Sequence, residues 1–550
     1  MTAADAHAAL LAQLRRPGAC AGHPGTAGLV QTHISSLLLA GGQVFKLLRP
    51  VSLPFVDFAS LGSRHAASLE ALRLNRRTAA HWYQAVVPVA DAGHGACIAA
   101  PGQPQPAGRV LDWALQMRRF DDHWLYSRLA ARGELTVNQV DALAAAVATF
   151  HNALPPSPPA FGDPAALRAM VALNLQELAD LLAGTPWQAL PGAAEAATAV
   201  ARLQAWTAAR GAALAGLMQA RRAAGQVREG HGDLHLANIV WADGAPVLFD
   251  ALEFDANLRH SDLVGDAAFA FMDLLAAGLP ALAWRFASAW LEATGQHDGL
   301  PLLRWWAVHR AAVRAKVALL SQPAGLLSTA PSTAPSTAPP TAPPTALPTA
   351  LPNGFSRYLA VAQALSAPVA DPPWLVLTCG LSGSGKSAVA AALAAQLGGI
   401  RLRSDVERKR LAGLPPDARG EPALYTAEMG LRTYARLQQL AADALTAGVP
   451  VVVDAASLLQ AERTAMQAVA DRCGARFRVL VCQAPAAVLA QRVQARMAAG
   501  RDASDATPEV LARQQGWVQW PGADEAPHTR WLDTDAPPEV VLARVQSLAL

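Results

Sequence analysis

Two textures of hydrophobic patterning divide this 550-residue chain. In the first, apolar alternation in LVQTHISSLLLA and QVFKLL predicts a small strand-containing lobe, and the following SLEALRLNRRTAAHWYQAV carries a helical pattern. From about Thr136 helices dominate, interrupted by an irregular stretch from Gly230 to Asp255. In the second texture WLVLTCG, GIRLRSD, VPVVVDA, FRVLVCQA and TRWLDT are short apolar runs separated by helical segments, the pattern of a parallel sheet with covering helices. Between the two, Ser328 to Pro352 reads STAPSTAPSTAPPTAPPTALPTALP, in which Pro recurs too often for helix or central strand. Such a tract favours polyproline II, and its 25 residues extend to roughly 75–80 Å at about 3.1 Å each, a semi-rigid spacer. The expected division is a first domain over 1–325, a linker over 326–372 and a second domain over 373–550.

Composition narrows the class. With 52% hydrophobic and 16% charged residues the chain is globular rather than largely disordered, and its length exceeds what one core supports. A net charge of +3 declares no extended footprint for nucleic acid or anionic membrane, so neither partner is expected. Cys20, Cys97, Cys379, Cys473 and Cys482 are scattered, which fits a reducing compartment, and no apolar stretch is long enough to span a bilayer, so the expectation is a soluble cytoplasmic protein. Of the 45 basic residues only four are lysines, Lys46, Lys316, Lys386 and Lys409. A compact ammonium that reaches between phosphate oxygens is poorly imitated by a planar guanidinium, so the location of each lysine carries information.

Gly380-Leu381-Ser382-Gly383-Ser384-Gly385-Lys386-Ser387 fits G-x-x-x-x-G-K-[ST] in full, after the strand-like WLVLTC and before the helix-like AVAAALAAQL. In this pattern Gly380, Gly383, Ser384 and Gly385 let backbone N–H groups curl around phosphate oxygens, Lys386 reaches the β and γ phosphates, and Ser387 holds Mg²⁺. Asp405, at the end of the next strand, faces the ligand crevice of an open α/β sheet, where it is a candidate base for a substrate hydroxyl; a helix N-cap is the alternative. Asp454 closes VVVD, the strand-plus-acid form of a Walker B element, and is a candidate Mg²⁺ organiser. Arg492 and Arg496 lie four apart, with Arg501 after Gly500, like cations on a lid over the phosphates, although a solvated arginine face has the same spacing.

In the first half HGDLHLANIV, followed by VLFDALEFD, reads as an acid plus a metal cradle. Asp233 is the candidate for orienting and deprotonating an acceptor hydroxyl, with Asn238 and Asp250 as candidate Mg²⁺ ligands. His231 and His235 are four apart, but the glutamate of HExxH is missing and Gly232 weakens a helix there, so His231 is expected to tie the loop together. Upstream, Lys46 in QVFKLL and Glu70 in the next helical stretch are candidates for the lysine–glutamate pair that positions α and β phosphates. Arg310, Arg314 and Lys316 recur along VHRAAVRAKVALL, open to three readings: one basic helix face, an anionic acceptor site, or a contact with the second domain.

GLSGSGKS, RSD, VVVD and the Arg-rich lid segment resemble the P-loop small-molecule and polynucleotide kinase group, including zeta-toxin and gluconate-kinase-like ATPases. HGDLHLAN and Asp250 resemble the catalytic loop and metal-binding aspartate of the aminoglycoside phosphotransferase and choline kinase-like family, a relative of the protein kinases. Together QTHISSLLL, VFKLLRPV, LRLNRR, MRRF, HGDLHLANIV, LFDALEFD and GLSGSGKS look like bacterial two-domain proteins that join an aminoglycoside phosphotransferase-like domain to an ATP-binding one. The resemblance implies an α+β protein-kinase-like fold followed by an α/β P-loop NTPase fold with a parallel sheet. It also implies two MgATP sites and phosphoryl transfer to small-molecule hydroxyls. THISSLLLAGGQ departs from the family in lacking the GxGxxG nucleotide-covering loop. Two rivals stand beside this reading: a first domain that binds a ligand without transfer and regulates the second, and a second domain that phosphorylates nucleic-acid ends.

Overall fold

The computed structural model describes residues 2–32, 34–53, 56–91, 93, 95–99, 108–321, 350–416, 418, 420, 422–499 and 504–548. Residues 328–349 of the Pro-Thr-Ala tract lie outside these, as do Gly500 and Arg501. The chain forms two compact units, one of residues Met1–Leu135, Thr149–Ala277 and Arg304–Ser366, the other of Thr136–Ala148, Gly278–Leu303 and Ala367–Leu550. Among the described residues no helix is long and apolar enough to cross a membrane.

In the first unit the strands Gly28–Gln31, Ser35–Ala40, Gln43–Leu48, Arg109–Arg118, Tyr83–Asp91 and Ala96–Cys97 form a six-stranded sheet in that spatial order, all neighbours antiparallel. Period-two alternation sorts its faces. Phe45 and Leu47 pack with Leu11, Leu14, Leu38 and Val89 on one face, so Lys46 between them points to the other. The helix Leu61–Ala79 starts at Ser60, whose hydroxyl accepts from the Ser63 N–H (2.9 Å), and packs on the strands Tyr83–Asp91 and Arg109–Arg118. It is shorter than its pattern suggested. HWYQAV leaves the helix because Trp82, Tyr83 and Val86 join Ala71, Ala79 and Leu115 in a cluster that only an extended segment reaches.

The stretch Gly230–Asp255, read as irregular, contains a hairpin of Ile239–Ala242 with Ala245–Leu248. Asp243 and Gly244 both lie at positive φ (51° and 79°), the turn geometry that matches the twist of two antiparallel strands. The helix Leu263–Ala276 follows, capped by Asp262 and almost wholly buried, including its acids Asp266 and Asp273.

The structure corrects the linker reading. Residues 353–366, expected within a linker over 326–372, form the helix Asn353–Ser366, with Phe355, Tyr358, Leu359 and Ala362 buried. Its neighbours are the helices Ala193–Ala213 and Leu263–Ala276. The described residues on both sides of the Pro-Thr-Ala tract, the helix segment from Arg304 and the helix Asn353–Ser366, fall in the same compact unit. Proline content reports local backbone conformation; it says nothing of where the two ends go. Tyr358 Oη donates to Asp273 Oδ1 at 2.8 Å, a buried hydrogen bond to a carboxylate. Tyr358→Phe is expected to destabilise the first unit by about 1–3 kcal/mol, read as a lower urea midpoint with an unchanged slope; an unmoved midpoint would show that this helix is not tied down there.

The second unit is built on a five-stranded sheet in the order Ile400–Arg403, Val451–Asp454, Trp374–Cys379, Arg476–Gln483 and Thr529–Asp533, every pairing parallel. These are the five apolar runs of the C-terminal sequence. Val376, Val389, Leu393, Val452 and Leu480 form its core, with the helix Lys386–Gln396 against one face. In a parallel sheet the carboxyl ends of the strands share one edge, which brings Gly380, Arg403 and Asp454 to the same rim.

Candidate functional sites

At that rim the central strand Trp374–Cys379 runs into the glycine loop and the helix Lys386–Gln396. Two glycines are demanded by the geometry. A Cβ on Gly380 (φ +150°) would meet Cys482 O at 2.4 Å, and one on Gly383 (φ +83°) would meet Leu489 O at 2.6 Å. Gly385 has φ +78°, another conformation that favours glycine. Lys386 Nζ donates to Leu381 O at 2.8 Å and lies 3.5 Å from Ser384 Oγ, folded over the loop that would receive phosphate. Burial pushes its ammonium pKa down, against the pull of Asp454.

Asp454 sits beside Ser387, whose hydroxyl hydrogen bonds to it. Its Oδ2 is buried without a hydrogen-bond partner, Arg403 Nε lying 3.6 Å away. Burial raises the carboxyl above the ordinary aspartate range, with Arg401 and Arg403 opposing. A hydroxyl and an under-satisfied carboxylate next to a phosphate-shaped loop fit a magnesium ion, which when bound would neutralise charge between phosphate oxygens. Lys386, Ser387, Asp405, Asp454, Arg492 and Arg496 all line one cavity of about 890 Å³. Asp405 lies in the first turn of the helix Ser404–Leu411 and pairs with Arg408 Nη1 at 2.7 Å. Arg492 donates to Thr534 O (2.8 Å) and to Gly383 O (3.5 Å), which places it against the loop; Arg496 donates to Ala506 O at 3.3 Å and leaves Nε buried and unbonded.

The first unit brings a second set together. Lys46 Nζ reaches Asp250 Oδ1 at 2.8 Å across 204 positions of sequence, and Glu253 Oε1 at 3.7 Å. Burial alone would lower the Lys46 ammonium, but the Asp250 and Glu253 carboxylates outweigh it and hold the pKa up. Burial raises Glu253 in turn. Asp250 adopts φ +58°, strained for an aspartate, with its N–H donating to Tyr83 Oη at 3.0 Å. Asn238 Nδ2 donates to Asp233 O (2.9 Å) and Oδ2 (3.1 Å), and Asn238 Oδ1 has no bond among the described residues, which leaves it available to a metal. Ala237 N–H donates to His235 Nδ1 (3.2 Å), so the proton of the neutral ring sits on Nε2, facing Asp233 Oδ2 at 3.4 Å. Burial would raise the Asp233 carboxyl, but His235, Arg314 and His231 overcome it and keep it below the ordinary aspartate value. His231 ties the loop through its Nε2 to Phe249 O at 2.9 Å.

One expected pairing fails. Glu70 does not reach Lys46: it binds Arg73 through both oxygens (2.7 Å each) and Arg259 Nη2 at 2.6 Å. Arg259 and Arg73 also hold Glu229, so Glu70 is drawn into a cluster of guanidinium groups while Glu253 takes the place beside Lys46. Three further residues escaped the sequence reading. Asp266 accepts from the backbone N–H groups of His231 and Gly232 (both 2.8 Å) and pairs with His151 at 3.0 Å, so it fixes the loop that carries Asp233. Asp273 accepts from Leu236 N–H at 2.9 Å. Their one sequence signal is two acids seven apart in the apolar LVGDAAFAFMDLLA. Gln514, on the helix Pro508–Trp517, accepts from the Ser382 N–H of the glycine loop at 2.9 Å, with no motif to mark it.

Residues 375–521 match the AAA domain family. The match takes in the glycine loop, Asp405, Asp454, Arg492 and Arg496, and it agrees with the parallel sheet on a P-loop NTPase domain. Over nearly its whole length the chain is also similar to an uncharacterized protein of Mycobacterium tuberculosis, 27% identical over 522 residues that span 91% of this chain and 93% of that protein. A protein of Mycobacterium bovis shows the same identity and coverage. Among solved structures, a gluconokinase from Sinorhizobium meliloti is 22% identical, covering 32% of this chain and 91% of that one, with a TM-score of 0.25. The APS kinase of Mycobacterium tuberculosis in complex with AMPPNP and APS is 23% identical, with coverage of 32% and 95% and a TM-score of 0.25.

Proposed function

We propose that this chain is a phosphotransferase with two ATP sites, each passing the γ-phosphoryl group to a hydroxyl of a small molecule. The second unit supports a kinase-like role through the cavity that holds both the phosphate loop and the carboxylate of Asp405. For the first unit the observation that carries the reading is the contact of Lys46 with Asp250 at 2.8 Å, beside Asp233 and Asn238. An ammonium for the phosphates, two metal-binding side chains and an ionised acid for the acceptor are the parts phosphoryl transfer needs.

In each unit the acceptor oxygen attacks the γ phosphorus. Its O–P bond forms as the β–γ bridging O–P bond breaks, ADP leaves with that electron pair, and the hydroxyl proton passes to Asp233 or Asp405. The residues orient and balance charge; the protein forms no covalent bond. The test is a mass-spectrometric search for products heavier by one phosphate when the full chain and MgATP meet a cell metabolite extract. Products lost in Asp233→Asn and others lost in Lys386→Ala support two transferases; an unchanged extract overturns the reading.

A further inference from the structure

Three cations sit on the helix Leu300–Leu320 near the first site, and they are not equivalent. Lys316 is spoken for, its Nζ 2.6 Å from Glu177 Oε2. Arg310 and Arg314, one helical turn apart, have no carboxylate partner within ion-pair distance among the described residues. Other buried arginines of this chain do: Arg64 has Asp112, Arg221 has Asp262 and Arg463 has Glu525. Leaving a guanidinium buried and unpaired is strongly unfavourable, so Arg310 calls for a reason, while Arg314 is half-buried and hydrogen bonds to Tyr358.

Their surroundings lead to the catalytic loop. Arg310 is 3% exposed, donates Nε to Gly265 O (3.1 Å), lies 4.5 Å above the Phe269 ring, and leaves Nη2 without a partner. Gly265 precedes Asp266, which grips the amides of His231 and Gly232, and the Phe269 ring is 6.1 Å from that of His235. Arg314 lies 5.7 Å from the centroid of Tyr358, and its Nε is buried and unbonded. Tyr358 in turn holds Asp273, which holds Leu236 of the loop. Asp233 itself keeps 32% of its side-chain surface open. Two guanidinium groups that make no ion pair among the described residues thus lie near the open carboxylate of Asp233, whose charge acts on both.

We propose that the acceptor of the first unit is a small alcohol that also carries an anionic group, a carboxylate or a phosphate ester, bound by Arg314 with Arg310 as a second fixed positive charge behind it. This rests on the reading of the first unit as a phosphotransferase. Transfer adds charge to an acceptor that is already negative, and fixed guanidinium groups offset that repulsion without reorganising.

The test uses the full chain carrying Lys386→Ala, so that product comes from the first unit. Short polyols are each offered in three forms: neutral, with a terminal carboxylate or phosphate, and with a terminal amine. Phosphate incorporation is expected for the anionic forms. Arg314→Gln should raise KM for them by about 10- to 100-fold with kcat changed less than about twofold, and Arg314→Lys should recover part of the loss. Preference for the neutral or amine form, or an equal KM change for all three, overturns the anionic assignment and leaves phosphotransfer standing. No incorporation into any form, matching the blank of Asp233→Asn, overturns both. Carboxylate and phosphate forms are scored separately, which tells the two sources of charge apart.

Discussion

Lys386→Ala will abolish phosphoryl transfer by the second unit, a loss of at least about 100-fold, while leaving the fold intact. The fold should survive because, among the described residues, the hydrogen bonds of Lys386 Nζ go to Leu381 O and Ser384 Oγ, both on its own loop. Burial disfavours the charge of this ammonium, with Asp454 first among the groups opposing that and Asp405 also among them, so an anion placed in the loop gains a pre-positioned partner. Alanine removes that partner and keeps the helix, whose first residue it becomes. The measurement is steady-state transfer by the full chain with the first unit silenced by Asp233→Asn, together with a thermal melt. Unchanged turnover would show that the glycine loop does not serve catalysis.

Asp233→Asn will remove transfer by the first unit by a factor on the order of 100 or more, without weakening nucleotide binding there. The asparagine amide cannot take the hydroxyl proton, and it turns an N–H donor toward Asn238 Nδ2, which now donates to the carboxylate at 3.1 Å. Nucleotide binding should persist because Lys46 and Asp250 are untouched. The wild-type pH profile carries a sign that checks the same residue. His235, Arg314 and His231 together outweigh burial and keep the Asp233 carboxyl below its ordinary value, so the carboxylate survives as pH falls. The acid limb of the rate profile should therefore lie below the ordinary aspartate pKa. A limb displaced upward would assign the acid role to another group.

What the sequence disclosed and what it hid differ in kind. The glycine loop and VVVD are contiguous, and their geometry follows from a strand–turn–helix and a strand end, so their meeting in one cavity was legible beforehand. Lys46 and Asp250 were legible as chemistry, and their 2.8 Å contact joins the sheet to the segment that follows the Ile239–Leu248 hairpin. Glu70 was not: helical spacing names several acids and arginines, and only tertiary packing decides that Arg73 and Arg259 take Glu70 while Glu253 meets Lys46. Asp266 and Asp273 act through backbone amides of the loop, and such contacts leave no residue pattern of their own. The helix Asn353–Ser366 was masked by the proline tract before it, since composition marks a segment and not its destination.

If one chain carries two independent nucleotide sites, equilibrium titration with a non-hydrolysable ATP analogue and Mg²⁺ counts them. Two moles bound per mole of the full chain are expected, falling to one in Lys386→Ala. One mole bound by the unaltered chain, or none left after that single substitution, would contradict two independent sites.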